Sequence, residues 1–297
     1  MTFKLASALE MELEKVHLLD IGAMDEGEDR FESLRTSGEL RVTGFEPDPT
    51  QFERLQANPR EGHTYHPFFL GNGGSGTFHV TAYPGCSSLF EPDSNVIDPF
   101  TSMSTKNGSN FSVLETHEVE TTRLDDVPGL AAPDLMKLDI QGGELDVLRH
   151  AKETLKSVLV IESEVEFVPL YKGQPLFGDM QVYLAEQGFV LHKFVDIAGR
   201  SLRPFERGGN RYAATSQVLW SDAIFVRDYF TPGLYTSAEL LKAAHILNDV
   251  YASYDLVYTL LVRYDELEGA DLSRRFGKAL TSQTELPLLY LNLKEHV

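Results

Sequence analysis

Four short apolar runs in this 297-residue chain end in carboxylates. They are Val16-His-Leu-Leu-Asp20, Arg41-Val-Thr-Gly-Phe45 with Glu46 next, Met136-Lys-Leu-Asp139, and Val158-Leu-Val-Ile161 with Glu162 next and Glu164 two residues on. A carboxylate at the end of a strand accepts hydrogen bonds from both hydroxyls of a diol, or from an amine. It also takes a proton from an alcohol, which is a poor nucleophile at neutral pH without a general base.

The first run shows which ligand such acids suit. An apolar strand closing on Asp20-Ile-Gly22-Ala23 and leading into a helix-forming segment is how a doubly wound parallel sheet makes its first turn, where a nucleotide-like ligand sits. A dinucleotide turn needs G-x-G-x-x-G to offer backbone N–H groups to a pyrophosphate. Here the spacing is Gly22-x-x-x-x-Gly27, with Asp25 and Glu26 where phosphates would go. At ~4 Å and an effective dielectric of ~20, one such carboxylate opposes a phosphate charge by about 4 kcal/mol. A cationic ligand is favoured instead, and S-adenosylmethionine carries a sulfonium and an ammonium. Asp25 and Glu26 also suit the first turn of a helix for its dipole alone.

Glu46 falls 24 positions after Gly22 (46 − 22), where the second strand of a Rossmann-like half presents an acid to a ribose. Asp139 is followed by Gly142 and Gly143, so its strand repeats the opening device and belongs beside Asp20 at the cofactor. Period two puts Glu162 and Glu164 on one side of their strand, where one orients or deprotonates a substrate hydroxyl. The candidate bases are therefore Glu162, Glu164 and Asp139.

These acids need a scaffold of alternating strands and helices. Strands are expected over 41–45, 65–70, 77–82, 118–124, 134–139, 157–164, 189–197 and 217–226, with helices over 1–15, 28–37, 50–57, 145–155 and 180–187. The Pro-, Gly- and Ser-rich stretch 83–111 reads as a lid or binding loop, or else as disordered. Arg200, Arg203, Arg207 and Arg211 stand out in a basic connection, either solvated or meeting an anionic group. Beyond Pro232, Leu240, Ala244, Leu247 and Tyr251 recur at helical spacing, predicting a hairpin over 237–268 and a helix near 272–280. The chain is thus expected to divide into a domain over 1–230 and a helical extension over 231–297, which packs on the domain or on a second copy as a homo-oligomer contact.

Composition narrows the partners. Lys and Arg number 26 against 45 Asp and Glu, a net charge of −19, which argues against nonspecific nucleic-acid binding and against an anionic membrane surface. Cys86 is the one cysteine, so no internal disulfide forms and a reducing compartment fits. No apolar run approaches the ~20 residues of a membrane span, and 1–15 lacks a signal-peptide core. A cytoplasmic protein is expected. His63, His66, His79 and His117 show no metal-ligand spacing, and no metal is expected.

Taken together, Asp20-Ile-Gly-Ala23, Phe45-Glu-Pro47, Thr122-Arg-Leu-Asp-Asp126 and Lys137-Leu-Asp-Ile-Gln-Gly-Gly-Glu144 resemble the FkbM family of S-adenosylmethionine-dependent methyltransferases. Glu164-Val-Glu-Phe167 and Trp220-Ser-Asp-Ala-Ile-Phe225 also look like that family, so the resemblance spans 16–227. It departs at Met24, where Asn is usual, and at Gln141, where many members carry Glu. The resemblance implies an α/β, Rossmann-like class I fold: a mostly parallel seven-stranded sheet with helices on both faces and an antiparallel last strand. It also implies O-methylation of a hydroxyl on a sugar, glycan or small natural product. Asp20, Gly22 and Ala23 then hold the methionine end, Glu46 and Pro47 the ribose side, and Asp125 either approaches the adenine or caps its strand. Two other classes stay open. One is a noncatalytic cofactor-binding or assembly protein; the other is a nicotinamide-dependent sugar enzyme, against which the first turn argues.

Overall fold

A computed structural model describes residues 3–23 and 30–282. The first half runs α1 (Leu5–Leu9), β1 (Val16–Ile21), α2 (Glu32–Thr36), β2 (Leu40–Phe45), α3 (Pro49–Ala57), β3 (His63–His66), β4 (Phe69–Leu70), β5 (Ser75–Thr81), α4 (Ser94–Ile97) and β6 (Val113–Thr122). It continues through β7 (Leu135–Leu138), α5 (Glu144–Arg149), β8 (Val160–Glu166), α6 (Phe177–Glu186), β9 (Phe189–Gly199) and β10 (Val218–Arg227). Three helices follow: α7 (Ser237–Asp249), α8 (Tyr254–Glu268) and α9 (Leu272–Thr281).

Seven strands form one sheet in the order β3-β2-β1-β7-β8-β10-β9. β2 pairs β3 and β7 pairs β8 in parallel, whereas β10 runs antiparallel to both neighbours. The sheet is the mostly parallel, seven-stranded α/β architecture expected. Its central strands are apolar on both faces, as strands buried on both sides are: Leu135, Met136, Leu138, Val160, Ile161 and Val165 are all buried. From β1 the chain builds outward through β2 and β3, then returns to the other side of β1 with β7. The carboxyl ends of β1 and β7 therefore flank a topological switch point, where open sheets take ligands.

The expected strand 65–70 is broken. Pro67 has no N–H for a ladder, so β3 stops at His66 and the chain re-enters a second sheet as β4, in the order β4-β6-β5. The expected helix 145–155 is likewise two pieces, α5 and a single 3₁₀ turn at Thr154–Lys156. The stretch 83–111 is ordered by its own apolar residues. Ile97, Phe100, Met103 and Phe111 are buried with Leu170, Tyr171 and Leu219, and bridges join Pro92 to Tyr171 and Phe100 to Leu202.

The chain divides into two compact units: Met1–Leu18 with Glu26–Arg41 and Asp228–Val297, and Leu19–Asp25 with Val42–Arg227. In the first, α1 covers Leu5 and Leu9, both fully buried, against α7 and α9. The amphipathic helix expected over 1–15 is only these five residues, ended by Glu10 in a left-handed conformation. The last three helices therefore share a unit with the N-terminus rather than forming a separate extension after residue 230. Among the described residues, no helix is long and apolar enough to cross a membrane.

Candidate active site

Gly22 follows β1 at φ +87°, a backbone region that L side chains rarely adopt. A Cβ there would lie 1.9 Å from the Asp139 carbonyl oxygen, so only glycine lets the two strand ends meet. The Asp139 N–H donates to the Ile21 carbonyl at 2.9 Å, and the N–H groups of Gly22 and Ala23 both donate to the Phe45 carbonyl at 3.1 Å. Three of the acid-bearing segments read from the sequence are thus drawn together at the tips of β1, β2 and β7. Lys137, which the sequence reading passed over, stands between two of those acids. Its Nζ lies 3.8 Å from Asp20 and 3.6 Å from Asp139, all three side chains being half-buried. An apolar strand carrying a single lysine two residues before its terminal acid was the available signal.

Glu46 follows β2. Proline at 47 restricts the residue before it to extended backbone, which sets Glu46 beyond the last rung, where its N–H donates to the His66 carbonyl at 3.0 Å. It is buried, at 4% exposure, and its carboxylate accepts the Asp48 N–H at 2.8 Å. Burial raises its pKa from 4.5 to about 7, with Asp48 and Asp20 pushing the same way and the Asp48 N–H opposing. Half-buried Pro47 adjoins it, and Asp48 caps α3 by accepting the Gln51 N–H.

After β7, Gln141 takes a left-handed backbone at φ +59°. Its amide Nε2 donates to Glu164 Oε2 at 2.7 Å and to Asp139 Oδ1 at 3.2 Å. The hydroxyl of fully buried Tyr171 lies 3.1 Å from Gln141 Oε1 and 2.9 Å from the Cys86 carbonyl, and its one proton serves either acceptor. Ser88 Oγ donates to the Gln141 carbonyl at 2.7 Å. Segments 83–111 and 167–176 thereby brace this one residue. Behind it, Glu144 is 2% exposed and accepts the N–H groups of Ile140 and Gly142; burial lifts its pKa to about 7. Burial also drives Glu164 and Glu166 well above the ordinary carboxylate range, with Asp139 among the charges adding to it.

Among the three candidate bases, Glu164 and Asp139 share the Gln141 amide and keep some solvent contact. Glu162 is 3% exposed and lies across from Lys137 in the parallel register. The strand runs on to Glu166, a third acid on the same side that the sequence reading did not single out.

Asp125 is elsewhere. Its two carboxylate oxygens accept the N–H groups of Glu153 and Thr154, each at 2.9 Å, and the Thr154 hydroxyl at 2.8 Å. Those residues precede β8, so Asp125 caps a turn at the amino ends of the parallel strands, away from the tips that bear Asp20 and Asp139. Of the two readings of Asp125, the hydrogen bonds seen are those of a cap. Arg203, from the basic connection, likewise donates to the carbonyls of Asp98 and Met103 as a brace between loops. Asp25, Glu26 and Gly27 lie outside the described residues.

The pattern of the methyltransferase FkbM domain matches residues 20–191. The 2-O-methyltransferase NoeI of Sinorhizobium fredii (strain NBRC 101917 / NGR234) is 33% identical over 165 residues, which are 53% of this chain and 66% of that protein. The match thus covers just under two thirds of that relative. Two solved structures are similar more loosely. Precorrin-6y C5,15-methyltransferase from Geobacter metallireducens GS-15 has a TM-score of 0.36 and 12% identity over 75% of this chain and 86% of that one. A putative methyltransferase from Thermoplasma acidophilum has a TM-score of 0.37 and 7% identity over 74% and 72%.

Proposed function

The chain belongs to the methyltransferase FkbM family, and from that premise we propose that it moves a methyl group from S-adenosylmethionine to a hydroxyl of a sugar, glycan or small natural product. The donor, when bound, supplies an electrophilic methyl on a sulfonium. Support for this donor comes from the fit of the residues at the strand tips. Gly22 permits a close backbone turn that any side chain would fill. Glu46 offers a desolvated carboxylate for a ribose diol, with Pro47 setting its backbone. Asp20 and Asp139 flank the Lys137 ammonium, and carboxylates at the strand tips suit a cationic ligand. In this reading Asp20 with the Gly22–Ala23 backbone holds the methionine end.

The observation that carries the catalytic half is the Gln141 amide bridging Asp139 and Glu164. Glu164 accepts the acceptor hydroxyl's proton when it is ionised, and its raised proton affinity makes it a stronger base than an exposed carboxylate. Gln141 holds it against the partner carboxylate in one rotamer. Fixed placement of nucleophile and methyl contributes several kcal/mol to such a displacement, up to about 7 to 11 in well-oriented models.

The acceptor class draws on the name of the 2-O-methyltransferase relative. The test is incubation with methyl-labelled donor and a panel of glycans, oligosaccharides and hydroxylated metabolites. Label on an acceptor oxygen, lost in Glu164→Gln, is the expected result. Donor binding without transfer to any acceptor would instead mark a noncatalytic binding protein, and tight binding of a nicotinamide dinucleotide in place of the donor would overturn the reading.

A further inference from the structure

In the other unit, α7 carries His245 and Asp249 four residues apart, hence on one face. Their side chains are 1% and 0% exposed. Glu39, from the segment entering β2, reaches the same point. His245 Nε2 lies 3.8 Å from Glu39 Oε1 and 3.8 Å from Asp249 Oδ2. Both distances are too long for hydrogen bonds, and Nε2 has no hydrogen-bond partner among the described residues. A buried imidazole nitrogen aimed between two carboxylate oxygens at this spacing calls for a cation that all three donors share.

We propose that Glu39, His245 and Asp249 bind a divalent transition-metal ion, zinc foremost, which fastens the segment before β2 to α7. One imidazole nitrogen and two carboxylate oxygens are an ordinary zinc donor set, leaving a fourth position for water. Bonds of about 2.0–2.2 Å in a tetrahedron need donor atoms about 3.4 Å apart. The three atoms lie within 4.8 Å of one another, so a small inward closure of side chains completes the site. Their outer contacts already aim them. Asp249 Oδ1 accepts the Leu5 N–H at 2.9 Å and the Asn248 side-chain amide at 2.7 Å, which turns Oδ2 toward His245. Glu39 Oε2 accepts from Ser37 Oγ, which leaves Oε1 on the His245 side. Burial holds the imidazole below its ordinary pKa, although Asp249 and Glu39 push upward, and the neutral ring is the form that binds metal.

Lys4 is the competing cation. Its Nζ lies 3.2 Å from Asp249 Oδ2 and 3.5 Å from Glu39 Oε2. The side chain is 24% exposed, so the ammonium has a path to solvent when a metal enters. This competition separates a metal site from a plain buried ion-pair network, because removing the lysine strengthens the first and weakens the second.

The experiment uses untagged full-length protein, stripped with a chelator and titrated with zinc or cobalt(II) chloride. Expected results are one zinc per chain, a thermal midpoint raised by about 5 °C at 100-fold excess over Kd, and the visible absorption of four-coordinate cobalt. Binding weakens about 100-fold or more in His245→Ala and Glu39→Gln, and tightens in Lys4→Ala. The partly exposed position of Glu39 keeps the test alive if His245→Ala does not fold. Zinc binding no tighter than ~1 mM, equal binding in both ligand variants, or loss of binding in folded Lys4→Ala each overturns the proposal. Methyl-donor affinity is measured in parallel and plays no part in this outcome.

Discussion

Glu46 sits near its own titration point, which makes its role readable by pH. Its folded pKa of about 7 stands above the unfolded 4.5. The stability it contributes is therefore fully present below pH 4.5 and lost as pH rises through about 7. The shift corresponds to about 3 kcal/mol, so Glu46→Gln is expected to raise the unfolding free energy of the donor-free protein at pH 8 by up to that order and to leave it unchanged near pH 4. Denaturant titrations at the two pH values check this. The ionised form accepts both ribose hydroxyls, so donor affinity is expected to rise with pH through about 7 in the wild type. In Glu46→Gln it is weaker by about tenfold or more and flat with pH. Gly22→Ala forces a Cβ to within 1.9 Å of a carbonyl oxygen at positive φ. Strain and overpacking together predict a cost of about 3 kcal/mol or more, seen as a lowered thermal midpoint with donor binding lost. Gln141→Glu removes the amide that donates to Asp139 and Glu164 and adds a third acid beside them. The acidic limb of the rate–pH profile is expected to move upward, since a base works only ionised, and kcat at pH 7 to fall about tenfold while donor affinity holds. An unmoved limb would show that Gln141 does not position the base.

Elements decide which strand-end acids meet. β1, β2, β7 and β8 were legible because each is an apolar run closed by a carboxylate, and a sheet buried on both faces leaves little other reading for such runs. What escaped were features set by tertiary partners. Asp125 looks like any acid after a strand; only the return of α5 and the turn Thr154–Lys156 beneath it makes it a cap. Asp125→Ala is accordingly expected to cost about 1 kcal/mol and to leave donor affinity unchanged, by calorimetry beside thermal unfolding. A tenfold weaker donor with an unmoved midpoint would restore the adenine contact. The stretch 83–111 was legible as a long irregular segment but not as an ordered one, because Phe100, Met103 and Phe111 have no periodicity and are buried in a cluster with Leu170, Tyr171 and Leu219. Lys137 was hidden for another reason. A lysine inside an apolar strand reads as an edge or snorkelling residue until two carboxylates from different strands close on it.

At the scale of the whole molecule, unit 2 contains every residue assigned above to donor and base, and unit 1 gathers α1 with α7, α8 and α9. The grouping of α1 with the last helices was not legible from sequence, since an i,i+4 pattern names a buried face without naming what buries it. Likewise, no local spacing joins Glu39 to a helix 200 residues later. The acidic balance of the chain and the strand-tip carboxylates were legible. The central claim is that a methyl donor lies at the carboxyl ends of β1, β2 and β7, and a crystal structure with S-adenosylhomocysteine tests it most directly. Ribose hydroxyls within hydrogen-bond distance of Glu46, with the amino acid end over Asp20 and Gly22, are expected. Density for the ligand anywhere else, or Glu46 turned away from a ligand bound there, would contradict it.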